Sequence, residues 1–130
     1  MDREMLLVLA REVALRAHCP YSHFRVGAAV VAGGNVYTGV NIEISSYGLT
    51  LCAERSALAA AISAGAGVGE ITHVAVACID APADTPAGGR TPCGACRQWL
   101  ADLAPHALIF IDGIEQDFHA GDLLPLAFGL

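Results

Sequence analysis

The stretch of residues 71–79, Ile-Thr-His-Val-Ala-Val-Ala-Cys-Ile, constrains this chain more than any other. Read with a period of two, one face carries Ile71, His73, Ala75 and Ala77 and the other Thr72, Val74, Val76 and Cys78, so neither face suits water. A strand of this kind belongs in the middle of a sheet that is covered on both sides. The flanking sequence offers the cover. Asp2 is placed to cap a helix running to about Ala17, with Met5, Leu6, Leu9, Val13 and Ala17 near one face and Arg3, Glu4, Arg11 and Glu12 outside. Residues 26–32 and 36–42 predict two strands joined through Gly33-Gly34-Asn35, a turn that accepts positive φ, and hence a β-hairpin. Residues 52–64 predict a helix whose Ala57, Ala59, Ala60 and Ala61 permit close packing before Gly65, Gly67 and Gly69 end it. Residues 80–91, with Pro82, Pro86 and Gly88-Gly89, read as a loop. Thr91 as N-cap and Pro92 at the first helical position then open a helix over residues 93–103, stopped by Pro105. Residues 107–111 follow as a strand, and residues 116–119 as a further short one. Helix, hairpin, helix, strand, helix, strand is the order of an α/β layered domain, and 130 residues fit one domain spanning 1–130.

Composition removes several functions. All seven basic residues are Arg, so a Schiff-base lysine and a Walker-type lysine are excluded. The net charge is −6 and no basic stripe is present, which argues against nucleic acid and for a small substrate. No segment approaches the roughly 18 consecutive apolar residues of a membrane span. The mixed-charge start Met1-Asp2-Arg3-Glu4 is unlike a signal peptide, which points to the cytoplasm. A hydrophobic fraction of 55% is more than a monomer of this size readily hides, so a homo-oligomer is expected. Five Cys in such a chain favour metal or catalytic use over a disulfide framework.

Two fragments place thiols at predicted helix starts: Cys52-Ala53-Glu54 and Pro92-Cys93-Gly94-Ala95-Cys96. Free N–H groups and the positive end of the helix dipole favour thiolate there, the form that binds metal. Cys93 and Cys96 share a helix face at i and i+3, and at a helix tip both Cys52 and Glu54 can reach inward. Three protein ligands leave a fourth zinc position for water, the pattern of a catalytic site. A C-x-x-C pair alone is shared by zinc ribbons, redox dithiols and disulfides. Glu54 by itself is a first-turn carboxylate of the kind the dipole favours, and Phe24 and Phe128 by themselves are core aromatics. Cys19 and Cys78 read as small apolar residues. The combination is more telling, because an upstream x-Glu paired with Pro-Cys-x-x-Cys is the signature of zinc deaminases.

Asn41-Ile42-Glu43, residues 47–55 (Tyr-Gly-Leu-Thr-Leu-Cys-Ala-Glu-Arg) and Pro92-Cys93-Gly94-Ala95-Cys96-Arg97-Gln98 together resemble the small zinc-dependent cytidine deaminases. The likeness extends from Pro20-Tyr21-Ser22-His23-Phe24 and Val26-Gly27-Ala28-Ala29 to Leu123-Leu124-Pro125 and Phe128. It implies a three-layer α-β-α sandwich around a mixed sheet of about five strands. It also implies one Zn²⁺ per chain on Cys52, Cys93 and Cys96, with hydrolytic deamination of cytidine and 2'-deoxycytidine at C4 and Glu54 moving the protons. Arg55 would offset thiolate charge, with Arg97 a weaker candidate. Asn41 and Glu43 would bind ribose, Phe24 would stack near the base, and the Ala53 backbone would meet the base carbonyl. The assembly implied is a homotetramer in which Ser45, Tyr47 and Phe128 reach a neighbour's pocket. Ile44, Arg25, Trp99 and the Gly88-Gly89-Arg90 loop depart from the pattern, which leaves a blasticidin S-type aminonucleoside or a modified cytosine open as alternative substrates. A non-enzymatic zinc module would give Glu54 and the Asn41/Glu43 pair no purpose.

Overall fold

The computed structural model describes residues 2–130; Met1 lies outside them. Helix α1 (Arg3–Ala14) is capped by Asp2, whose side chain accepts from the Met5 amide at 2.8 Å, a contact worth about 1 kcal/mol. It ends earlier than the expected Ala17. Arg16 and Ala17 make tightened bonds to the Val13 and Ala14 carbonyls, and His18 then leaves to bridge Ile42. Strands β1 (Val26–Ala32) and β2 (Asn35–Val40) form the expected hairpin, with Gly33 at φ 57° and Gly34 at φ 82°, as a type I′ turn requires. Helix α2 (Ala53–Ser63), strand β3 (Ile71–Cys78), helix α3 (Gly94–Leu103), strand β4 (Leu108–Ile111) and a short α4 (Ala120–Leu123) complete the order.

The sheet runs β2-β1-β3-β4, antiparallel except for the parallel β3–β4 pair, so β3 is internal as its two apolar faces demand. It is mixed but four-stranded rather than about five. The expected strand at residues 116–119 contributes a single antiparallel bridge, Phe118 to Ile109. Asp117 is drawn to Arg3 at 2.9 Å, and His119 already caps α4.

One face of the sheet packs on α1 through Leu6, Leu7, Ala10, Ala29, Ala75, Ala77 and Phe110. The other packs on α2 and α3 through Ala28, Val30, Val74, Val76, Ala57, Leu58 and Leu100. The fold is thus the three-layer sandwich. The buried face of α1 is Leu6, Leu7, Ala10 and Ala14, and Met5 is exposed instead. Close approach decides this. A methyl group on Gly27 of β1 would lie 2.7 Å from the Ala14 amide nitrogen and closer still to the Ala10 carbonyl, so only small residues fit between helix and sheet.

Beside this core, Arg25 grips Asp80 with its amide (2.8 Å), Nε (2.9 Å) and Nη2 (2.8 Å), tying the entry to β1 to the exit from β3. The Arg25 hydrogen bond holds the Asp80 carboxyl down at about 2, against an unfolded value of about 3.9. A group whose folded pKa is depressed stabilises the fold above its unfolded pKa and loses that contribution as pH falls through the folded one. Urea unfolding of the native chain and Asp80→Asn should therefore show a stability gap at pH 7 that closes between about pH 4 and pH 2. A gap that persists unchanged at pH 2 contradicts the ion pair's role.

Candidate active site

Cys52 and Cys93 are the N-caps of α2 and α3. The cap of α3 is thus Cys93, two residues later than the expected Thr91, because the Thr91 hydroxyl is occupied by Arg97 Nη2 at 3.1 Å. Both thiols sit where open N–H groups and the helix dipole favour negative charge. The two helix starts converge. Cys52 Sγ lies 3.6 Å from Cys93 Sγ, Cys93 Sγ lies 3.5 Å from Cys96 Sγ, and the three sulfurs are all within 4.8 Å of one another. A tetrahedral zinc with bonds of about 2.3 Å needs sulfurs about 3.8 Å apart, so this triangle fits the ion and leaves one corner free.

Arg55 Nη2 donates to Cys52 Sγ and to the Thr50 carbonyl, each at 3.2 Å. The hydrogen bond from Cys96, followed by those from Arg55 and Cys93, holds the Cys52 thiol below its ordinary range against the cost of burial. The same contact with Cys52, together with burial and the Glu54 charge, drives Cys96 the other way. Arg97 is no solvated residue, and its donors reach no sulfur. Nε binds the Pro92 carbonyl at 2.8 Å and Nη1 the Leu123 carbonyl at 2.6 Å, bracing the turn that enters Cys93.

Glu54, the second residue of α2, is 5% exposed. Burial pushes its carboxyl up to about 7, and the Cys52 charge adds to this. A second buried carboxyl shows the contrast. Glu43 accepts from the Ser22 hydroxyl, the Ser22 amide (3.0 Å) and the Tyr21 amide (3.2 Å), with the Ser22 hydroxyl the main cause of its lowered pKa. The two buried acids are shifted in opposite directions: hydrogen bonds hold Glu43 toward its ionised form, while burial poises Glu54 near neutrality.

Glu54, Cys52 and Cys93 border a cavity of about 190 Å³. Of the expected residues, Phe24, Asn41, Ala53, Cys52, Cys93 and Glu54 line it. Asn41 also bonds the Phe24 carbonyl and the Val26 amide, at 2.8 and 2.9 Å, fixing the wall that Phe24 forms. Glu43 does not line it; its carboxylate is turned to the Tyr21-Ser22 backbone. Ser45, Tyr47 and Phe128 are exposed and outside the cavity of their own chain, Tyr47 resting edge-on against Tyr21 at 5.9 Å and the Phe128 carbonyl held by Gln98 at 2.9 Å. Val26, Thr50, Cys78, Gly89, Arg90 and Thr91 complete the wall and are not among the site residues expected from sequence. Cys78 had a legible signal: it ends a central strand, and the ends of such strands face the crevices of α/β folds. Burial pushes its thiol up to about 11, so it is neutral. A larger open hollow of about 500 Å³ beside His18, Cys19, His23 and the Arg25–Asp80 pair holds neither the thiol cluster nor Glu54.

The thiols have a testable order of reactivity. In protein stripped of metal and treated briefly with iodoacetamide at pH 6, peptide mapping should find Cys52 alkylated ahead of Cys96 and Cys78. Labelling of Cys96 or Cys78 first contradicts the electrostatic ordering.

Comparison with known proteins agrees with this geometry. Residues 1–111 match the family model described as the cytidine and deoxycytidylate deaminase zinc-binding region. The chain is 44% identical over 131 residues to a cytidine deaminase of Mycobacterium tuberculosis, covering 100% of this chain and 92% of that protein. It is 41% identical over 133 residues to a cytidine deaminase of Halalkalibacterium halodurans, covering 98% and 95%. The crystal structure of cytidine deaminase from Burkholderia pseudomallei superposes with a TM-score of 0.88 at 41% identity, over 98% of this chain and all of that one. With its fold, its thiol triangle and its sequence in agreement, the chain belongs to the cytidine and deoxycytidylate deaminase zinc-binding family.

Proposed function

We propose that this protein is a zinc-dependent cytidine deaminase that hydrolyses cytidine and 2'-deoxycytidine to the uridines and ammonia. The observation that carries the reading is the juxtaposition of a three-thiol cluster, two of whose members line a small cavity, with a buried, near-neutral carboxyl on the same cavity. Cys52, Cys93 and Cys96 would hold one zinc. Zinc bound there lowers the pKa of its water toward neutrality and so supplies the nucleophile. Glu54, at about 7, is suited to accept a proton from an attacking water, deliver it to the base nitrogen, and shuttle a second proton to the departing amine. Arg55 offsets the surplus negative charge of three thiolates through its contact with Cys52.

The cavity is below the 300 Å³ or so of a typical drug-sized pocket, which suits a single flat ring seated between Phe24 and the Ala53 backbone. Asn41 borders the same space and is the ribose contact we propose within the chain, with Glu43 acting beside it by holding the Tyr21-Ser22 turn. Curated relatives carrying the name cytidine deaminase favour this substrate over a blasticidin-type nucleoside.

We further propose a homotetramer in which Ser45, Tyr47 and Phe128 close a neighbour's cavity. The chain leaves Tyr47 53%, Leu49 71% and Phe128 70% exposed, which is costly for an isolated subunit. Among the described residues no helix is long and apolar enough to cross a membrane, and all five cysteines are free, as suits a reducing cytoplasm.

Glu54→Gln provides the test. The variant should retain one zinc per chain and the sedimentation of a tetramer, yet lose about 10²-fold or more of cytidine turnover. Near-native turnover contradicts the assignment of Glu54, and loss of zinc contradicts its placement outside the ligand set.

A further inference from the structure

Strand β2 does more than complete a hairpin. Gly39 pairs with Ala28 and shares its side of the sheet, the side that α2 covers, and Asn41 follows directly after the last residue of the strand, Val40. Asn41 borders the cavity; Gly39 meets the first turns of α2. A methyl group on Gly39 would lie 2.7 Å from the Ala53 carbonyl oxygen and 2.8 Å from the Ser56 carbonyl carbon, and closer still to the Ala57 amide nitrogen. All three are helix backbone atoms, which cannot rotate aside as a side-chain tip can. Ala53 and Ala57 are fully buried. The helix backbone therefore rests directly on the strand, at the turn that carries Cys52 as its cap and Glu54 as its second residue.

We propose that Gly39 is a positioning residue for the reaction: its missing side chain sets the height of the α2 tip above the sheet, and so the placement of Cys52 and Glu54 relative to Cys93 and Cys96 on α3. The inference rests on the deaminase reading for its kinetic consequence, but not for its metal consequence. Cys93 and Cys96 are fixed from another direction, by Arg97 on the Pro92 and Leu123 carbonyls. Lifting α2 would thus open the thiol triangle from one side rather than move it as a unit.

Gly27 supplies the matched control. It seats α1 on the opposite face with equal tightness, a methyl there falling 2.7 Å from the Ala14 amide and closer to the Ala10 carbonyl. Gly27→Ala overpacks the fold to a similar degree without touching α2. Each variant is isolated as folded, zinc-loaded protein and compared with the native chain for cytidine kcat and KM and for the rate of zinc release to a competing chelator.

Gly39→Ala should lose kcat on the order of 10²-fold with KM moved less than about threefold, and should release zinc about tenfold faster, while Gly27→Ala keeps native values for both. A Gly39→Ala protein that matches Gly27→Ala in kcat and zinc release overturns the proposal. If Gly39→Ala does not accumulate as folded protein, Ala57→Ser, which adds one atom on the same buried helix face, is measured instead. A lowered kcat at unchanged KM then supports the proposal, and native kcat overturns it. Should the native chain itself fail to turn over cytidine, the substrate reading fails, and the zinc-release comparison still decides the role of Gly39.

Discussion

Two helix N-termini aimed at one point are what the site depends on. A thiolate is stabilised at each tip by unpaired N–H groups and by the dipole, but only the sheet brings the tips together. The convergence occurs at one end of that sheet, where β3 ends at Cys78, β1 begins at its partner Val26, and β2 has just given way to Asn41. Small residues make it possible. Gly27, Ala28 and Ala29 in β1 and Gly39 in β2 let helices on both faces approach until backbone meets backbone. On the α2 side, a larger side chain at Gly39 or Ala28 would thicken that layer and move the α2 tip, with Cys52, away from Cys93 and Cys96.

The same packing creates an electrostatic contrast between two buried acids. Glu43 and Glu54 are both buried acids on elements flanking the cavity. Glu43 is surrounded by donors from the Tyr21-Ser22 turn, so its charge is solvated by protein; Glu54 has its own backbone amide and feels the Cys52 charge. Desolvation wins at one and hydrogen bonding at the other. Asn41 borders the cavity and Glu43 holds the Tyr21-Ser22 turn beside it.

Much of this was legible in the residues. The doubly apolar run at 71–79 could only be an internal strand, Gly33-Gly34 could only be a tight hairpin turn, and the thiols at 52, 93 and 96 stood at helix starts. What escaped was set by tertiary approach rather than by pattern. The apolar stripe on α1 was read through the larger residues Met5 and Leu9, whereas backbone contact with Gly27 selects Ala10 and Ala14. Cys78 reads as a core filler from its apolar neighbours, and only its place at the end of a central strand points to the cavity it lines. The fifth strand was reduced to one bridge by the ion pair of Asp117 and the cap at His119, both long-range or end effects that a period-two reading cannot register.

The account holds that the thiol triangle is an open zinc site coupled to an acid, and not a closed structural one. Metal content and turnover measured on the same preparation test this most directly. It predicts one zinc per chain, together with loss of cytidine absorbance and stoichiometric release of ammonia. Full zinc occupancy with no turnover of cytidine, deoxycytidine or any related aminopyrimidine would contradict it.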